Sequence, residues 1–157
     1  MSMTAKSLDR LQRVHPDLQL IVTRADLLGE MDFIVIEGER TLEKQKAFVA
    51  KGASTTMRSR HVREMNQCGE VCAVDLGVMI DGELRWDGNL YMDLAYLMKE
   101  ATEIEGVPVV WGGCWSDISK VASVETAQYE YVRRKRAKGE RPFIDGPHFE
   151  LPWGVYP

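Results

Sequence analysis

Apolar positions in the first part of the chain predict two helices followed by a strand. Leu8, Leu11 and Val14 recur at helical spacing, and a second helical pattern runs from residue 17 to about residue 28. The short apolar run at 33–36 is typical of a strand. The chain is therefore expected to enter its sheet from a pair of helices.

A helix over residues 42–50 is predicted next, with Thr41 as its N-cap and Gly52 as its C-terminal stop. The clearest strand pattern follows at 71–80, and Asp81-Gly82 is a turn signal that would fold residues 84–86 back as a hairpin. Alternation along this strand places five apolar side chains on one face: Cys72, Val74, Leu76, Val78 and Ile80.

The other face of the same strand carries Asp75, flanked by the small residues Ala73 and Gly77. An unpaired buried carboxylate is costly, so Asp75 is expected to meet a cation. The small neighbours leave room beside the carboxylate for an ion.

The C-terminal half continues the mixture of helices and strands. The pattern predicts an amphipathic helix at 90–104, a short strand at 107–111, a polar helix at 116–138 and a last strand at 143–151. In that last strand His148 and Glu150 would share one face. Interspersed elements with a hairpin indicate an α+β fold, with a small, mainly antiparallel sheet flanked by helices.

Composition changes this picture little. The 157 residues are expected to form a single domain, 1–157, and 45% hydrophobic with 28% charged residues is typical of a globular protein. A net charge of -4 does not favour nucleic acid as a partner. The sequence has no apolar run long enough for stable membrane insertion and no apolar signal core after its start, so a cytoplasmic location is expected.

The three cysteines are an odd number, which argues against a complete disulfide framework. We expect reduced thiols without a special role. A second metal site at Cys68 and Cys72 is the alternative that their spacing leaves open.

Candidate chemistry is concentrated in two histidines and two aspartates. His61, Asp75 and His148 form the ligand set that holds a catalytic Zn²⁺ while leaving a position open for water. Asp145, three residues before the last histidine, is the predicted general base, because that position keeps it near the metal without making it a ligand. The third histidine, His15, is expected at the joint between the first two helices.

Arg40 stands in the turn after the first strand and is a candidate for stabilising an oxyanion. From the residues alone, an arginine bridging Glu37 or Glu39 is the more ordinary interpretation.

Several blocks of the chain form a recognisable series: Asp32-Phe33, Glu37-Gly38-Glu39-Arg40-Thr41 with Gln45, Gly52-Ala53-Ser54-Thr55-Thr56, Ser59-Arg60-His61, Ala73-Val74-Asp75-Leu76, Trp111-Gly112-Gly113-Cys114-Trp115 and Asp145-Gly146-Pro147-His148-Phe149-Glu150-Leu151. In this order the blocks resemble those of the zinc D-Ala-D-Ala carboxypeptidases and L-alanyl-D-glutamate peptidases, including phage endolysins. The resemblance implies their fold, shared with the Hedgehog group, and a peptidoglycan stem peptide as substrate.

The resemblance implies Zn²⁺ held by the two histidines and Asp75, with Asp145 as catalytic base. It also implies that Arg40 binds the substrate carboxylate or the oxyanion. Ser59 would orient the first ligand from behind, and Glu150 would lie near the zinc without a role that can be assigned.

The chain departs from the family's usual spacing in two places, near residues 62–70 and 116–142. Both stretches flank the implied site in sequence and are expected to shape a lid or groove wall. The second contains the basic run 133–138, interpreted either as a solvated helix end that suits the helix dipole or as a contact for anionic cell-envelope polymers.

We therefore expect a monomeric peptidoglycan peptidase, cleaving the L-Ala-D-Glu bond as a phage lysis enzyme stored in the host cytoplasm until release to the cell wall. A D-Ala-D-Ala carboxypeptidase on the same scaffold is one alternative. A zinc-dependent cell-wall binding module that has lost catalysis is the other, although the base and oxyanion candidates argue against it.

Overall fold

The fold is known from a computed structural model that describes residues 3–157. These residues contain five helices and six strands, interspersed along the chain, with a short 3-10 helix at Arg63–Met65. In chain order the elements are α1 (Ala5–Leu11), α2 (Pro16–Leu28), β1 (Asp32–Glu37), α3 (Leu42–Ala50), β2 (Ala73–Ile80), β3 (Glu83–Arg85), α4 (Gly88–Glu105), β4 (Val110–Trp111), β5 (Ser116–Asp117), α5 (Val124–Ala137) and β6 (His148–Glu150).

The strands form one antiparallel sheet in the order β1-β2-β6-β4-β5. The longest strand, β2, pairs along one edge with β1 and along the other with β6 and β3. The β2–β3 hairpin turns at Asp81 (φ 51°) and Gly82 (φ 79°), the two positive φ angles that a type I′ turn requires. The predicted α+β architecture with a mainly antiparallel sheet is confirmed.

The hydrophobic core lies between one face of the sheet and the helices α2 and α4. Val74, Leu76 and Val78 on the apolar face of β2 are fully buried there, as the alternation predicts, whereas Ile80 at the end of the strand is exposed. Phe149 from β6 and Trp111 from β4 extend the same layer. Because strand side chains alternate, Asp75 and His148 are left on the opposite face of the sheet, where they are directly paired across β2 and β6.

Most predicted elements are present, with three differences at their ends. The predicted helix at 116–138 is wrong over its first part, because residues 116–117 form β5 and the helix begins only after Ser123, whose hydroxyl accepts from the backbone N–H of Thr126. The strand at 107–111 is shortened to Val110–Trp111, and Pro108 just before it has no N–H for a sheet ladder. The last strand begins at His148, since Asp145 and Gly146 lie in a turn.

Smaller expectations hold. Thr41 caps α3 by accepting from the Lys44 N–H, and Gly52 follows its end with φ 75°. His15 caps α2 through its Nδ1 atom, as expected at the joint of two helices. Within the described residues, no helix combines the length and apolar character that crossing a membrane requires.

Candidate metal centre

Two histidines and one aspartate meet on the open face of the sheet. Donor atoms of His61, Asp75 and His148 all lie within 4.8 Å of one another. His61 Nε2 and His148 Nδ1 are each 3.2 Å from the same oxygen, Asp75 Oδ1. The structure thus brings together the three residues that the sequence suggested as zinc ligands.

The second nitrogen of each imidazole is bound to a group that can only accept. His61 Nδ1 lies 2.7 Å from the carbonyl oxygen of Gly38, and His148 Nε2 lies 2.7 Å from a carboxylate oxygen of Glu150. These nitrogens therefore carry the ring protons, and the nitrogens facing Asp75 present lone pairs in the neutral rings. Lone pairs of both rings therefore face the Asp75 carboxylate, and additional protons or a cation must lie between them. The cluster suits a divalent metal ion.

The pKa shifts of Asp75 and His148 also indicate that the cluster attracts a cation. Burial would raise the pKa of Asp75, but the adjacent imidazoles of His148 and His61 outweigh it and hold that pKa far below its usual range. Burial would lower the pKa of His148, yet Asp75 and Glu150 raise it to about 10. Without a metal the imidazole keeps a proton, and a bound metal ion would displace that proton.

His61 is positioned by the end of β1 and the loop before β2. The register of β1 against β2 shifts between Val35 and Glu37, a β-bulge of the kind often found beside active sites. Gly38 follows, so closely packed that a Cβ would lie 2.9 Å from Arg10 O and from Val14 Cγ2. This close packing fixes the carbonyl that orients His61.

Residues beside His61 support it from behind. The Ser59 hydroxyl accepts from the His61 backbone N–H at 3.3 Å. The Arg60 side chain is buried and donates to the carbonyls of Leu151 and Tyr156 and to Asn66. Sequence reasoning missed Arg60 and Asn66, because nothing local shows that an arginine between two site residues turns inward.

Glu150, which had no assigned role, accepts the hydrogen bond of His148 Nε2. Its other carboxylate oxygen is 4.0 Å from Arg60 Nε. A carboxylate behind a metal-ligand histidine fixes the ring's tautomer and makes it a better donor. The alternation of β6 supplies this pair, because His148 and Glu150 are two residues apart on one face.

Asp145 is positioned by the glycine turn after β4. The Asp145 N–H donates to Gly112 O at 2.9 Å, while the Gly112 N–H donates to His148 O at 2.8 Å. A Cβ on Gly112 would lie 2.3 Å from Asp145 O. Burial raises the pKa of the Asp145 carboxyl, despite the opposing charge of His148. A raised pKa suits a group that accepts and returns protons.

Arg40 lines the same cleft and forms the ion pair with Glu37 that is the more ordinary interpretation of it. Its guanidinium is paired with Glu37 and donates to Gln45 Oε1 at 2.8 Å. It also stacks over the Phe48 ring, with Cζ 4.7 Å from the ring centroid. Arg40 is therefore held at the cleft wall by an ion pair that leaves it facing the site.

The cleft itself has a volume of about 900 Å³. It is lined by the metal cluster, Asp145, Arg40, the 52–60 loop and four aromatic residues: Phe48, Trp115, Phe143 and Trp153. The Trp115 ring centroid is 5.4 Å from that of His148. Trp115 is the last residue of the block at 111–115 that resembles the family, but only the fold shows that it borders the site.

The two family-atypical stretches differ in their relation to the cleft. In the described chain, none of residues 62–70 lines it. Arg63 from this stretch forms ion pairs with Glu39 at 3.2 Å and Glu70 at 3.5 Å, and Asn66 bonds three backbone carbonyls. This stretch braces the His61 loop instead of forming the expected lid or groove wall. Residues 116–142 instead border a neighbouring cavity through α5.

The cysteines do not form a second metal centre. Across residues 3–157, the only cluster of three or more histidine, cysteine or carboxylate side chains placed to hold a metal is the one described above. Cys68 and Cys72 are free thiols with their sulfurs 3.8 Å apart. Burial raises the pKa of Cys72 to about 12, so this thiol is held protonated.

Comparison with known proteins agrees with the geometry. A family model, "Phage L-alanyl-D-glutamate peptidase", matches residues 1–152. The L-alanyl-D-glutamate peptidase of Escherichia phage T5 is 26% identical over 111 residues, 68% of this chain and 76% of that protein. The crystal structure of the Serratia marcescens L-Ala D-Glu endopeptidase ChiX has a TM-score of 0.73 and 30% identity, covering 100% of this chain and 94% of that one. The chain therefore belongs to the phage L-alanyl-D-glutamate peptidase family.

Proposed function

We propose that the chain hydrolyses the L-alanyl-D-glutamate bond of peptidoglycan stem peptides and depends on Zn²⁺. The observation that carries this proposal is a carboxylate, Asp145, held in the same cleft as His61, Asp75 and His148. The family membership supports the choice of bond over the D-Ala-D-Ala carboxypeptidase alternative. As in a phage lysis enzyme, the substrate would be met after release to the cell wall.

The two imidazoles and Asp75 would hold the metal, with Glu150 and the Gly38 carbonyl fixing the ring orientations. When bound, Zn²⁺ supplies Lewis acidity, lowering the pKa of water and polarising a carbonyl oxygen. Apart from the metal, the hydrolysis needs only the substrate, water and side chains of this chain.

Asp145 accepts the proton of the attacking water and returns it to the departing amine. Its carboxylate is suited to this because no side chain in the described residues forms a hydrogen bond with it, and burial keeps its proton affinity high. Arg40, held by Glu37 at the cleft wall, faces the substrate and offers its positive charge to the oxyanion or to a substrate carboxylate.

A catalytically inactive binding module is the weaker interpretation. A metal that only stabilises the fold would be expected to have a closed ligand shell. Here the cluster opens into a cleft that also presents Asp145 and Arg40. A metal that only stabilised the fold would need neither of these two residues beside it.

The test is mass spectrometry of peptidoglycan fragments incubated with metal-loaded protein, with and without a chelator. We expect chelator-sensitive release of peptides that begin with D-glutamate. Loss of a single terminal D-alanine would instead establish the carboxypeptidase. Substrate that remains intact while still bound by the protein would establish the binding module.

A further inference from the structure

A second cavity, of about 450 Å³, adjoins the catalytic cleft on the side of α5. Trp115 and Phe143 line both spaces, so these two rings form the wall between them. On the cleft side, Trp115 contacts the His148 ring, with centroids 5.4 Å apart. A ligand lying across this wall would therefore reach from the metal cluster into the second cavity.

The far side of this cavity is basic. Arg134, Lys135 and Lys138, from the end of α5 and the residue after it, all line it. Lys135 is paired with Glu140 at 2.8 Å. Arg134 and Lys138 have no ion-pair partner within 4 Å in residues 3–157, so both charges are open to a ligand.

The cations are not needed to complete the helix end. Backbone N–H groups of Lys138, Gly139 and Glu140 already donate to the last carbonyls of α5. The helix dipole would favour cations anywhere around its last turn. It does not account for three of them lining one cavity beside the aromatic wall.

The aromatic wall is held in place by hydrogen bonds. Trp115 Nε1 donates to Phe143 O at 2.8 Å, and the Tyr131 hydroxyl donates to the same carbonyl at 3.1 Å. The Phe143 N–H in turn donates to the Tyr131 hydroxyl at 3.0 Å. The backbone of Phe143 is thus held in place, and its side chain presents an exposed apolar surface that borders both spaces.

We propose that this cavity is a carboxylate subsite, formed by Trp115, Phe143, Tyr131, Arg134 and Lys138, that binds an acidic part of the stem peptide beyond the D-glutamate. The inference rests on the proposed function, since it assumes a stem peptide in the cleft. Guanidinium and ammonium groups above an aromatic surface suit a carboxylate on an aliphatic chain. The wall shared with the cleft favours the cleaved peptide itself over a separate phosphate-rich wall polymer.

The experiment measures peptide binding by titration calorimetry with the zinc-loaded full chain carrying Asp145→Ala, which leaves the peptide uncut. Two stem peptides are compared, both with a free D-glutamate carboxylate. One has its later carboxylates free, and in the other they are amides. We expect the free form to bind about tenfold more tightly, from charge-assisted hydrogen bonds to two cations.

Adding Arg134→Gln and Lys138→Gln should abolish this preference. The matched control, Arg133→Gln with Arg136→Gln, removes the same charge from the same helix end outside the cavity and should retain it. Equal binding of the two peptides, or equal loss in the control, would overturn the subsite. So would a glycerol phosphate oligomer that binds more tightly than the peptide and depends on the same two residues.

In parallel, cleavage of the peptide with free carboxylates is measured with the chain that retains Asp145. Absence of cleavage with the preference intact would contradict the proposed function and leave the subsite standing. Cleavage at the L-Ala-D-Glu bond without the preference would support the proposed function and overturn the subsite.

Discussion

Asp145 and His148 are three residues apart, yet their side chains have different surroundings. The His148 ring faces Asp75 with one nitrogen and Glu150 with the other, whereas the Asp145 carboxylate points into the cleft without a hydrogen-bonded partner side chain in residues 3–157. The proposed roles, a metal ligand for His148 and a base for Asp145, can therefore be tested by changing single side chains.

Asp145→Ala is expected to keep zinc and to lower turnover by about 100- to 10,000-fold, the usual contribution of a general base. His148→Ala should lose both zinc and turnover, because it removes a ligand. Zinc content after dialysis, measured by atomic emission beside peptide cleavage, separates the two. Equal loss of zinc in both variants would contradict these roles.

Glu150→Ala is expected to weaken zinc binding by about 10- to 100-fold, the usual effect of removing the partner of a ligand histidine. The reason is that His148 Nε2 loses its acceptor in a buried setting. Glu150→Gln keeps an acceptor without the charge and should lie between. Competition with a chromophoric chelator measures both, and an unchanged affinity in Glu150→Ala would remove Glu150 from the site.

Among the elements, the glycine turn after β4 controls the position of Asp145, the proposed base. Gly112 bonds both His148 and Asp145 through its backbone, and its Cα lies too close to Asp145 O to allow a side chain. Gly113 is equally constrained, since a Cβ there would lie 2.3 Å from the Trp111 ring. The turn thus joins the core tryptophan to the catalytic cleft.

Gly112→Ala is expected to destabilise the fold by about 1–3 kcal/mol, as overpacking usually does, and to reduce activity more than zinc content. The added methyl group pushes against the backbone of Asp145 while the ligands remain. Urea denaturation and cleavage assays measure the two effects. Gly154→Ala is the control, because a Cβ there meets nothing within 4 Å, and it should stay within about 0.5 kcal/mol. Similar values for both variants would refute the crowding argument.

Sequence patterns anticipated the elements best where packing and local chemistry agree. The strand at β2 and the N-cap of α3 were predictable because alternation and capping are local. The stretch before α5 was mistaken for helix because its pairing partner, β4, is not visible in its own composition. Short strands such as β5 depend on their neighbours for their hydrogen bonds.

At the scale of the molecule, the metal cluster joins three parts of the chain: the loop before β2, β2 itself and β6. Its negative groups, Asp75 and Glu150, lie on a sheet face that receives no helix layer from α2 or α4. A metal ion would therefore stabilise the folded chain as a cross-link that the unfolded chain lacks.

Chelation is expected to lower the melting temperature by about 10 °C, because a ligand at a thousand times its dissociation constant stabilises by about 4 kcal/mol and each kcal/mol moves a domain of this size by about 2–4 °C. Differential scanning calorimetry with and without chelator measures this shift. In His148→Ala the shift should vanish. A shift of the same size in that variant would place the stabilising metal elsewhere.

The sequence by itself determined the α+β class, the spacing of the ligand candidates and, through its ordered blocks, the family to which the chain belongs. These follow from local alternation, capping and motifs, which need no knowledge of distant contacts. The tertiary structure alone decided that Glu150 and the Gly38 carbonyl orient the histidines and that Arg60 is buried behind them. It also placed Trp115 and Phe143 between the cleft and a basic cavity. Such placements arise where segments far apart in the chain pack together, and no local pattern encodes them.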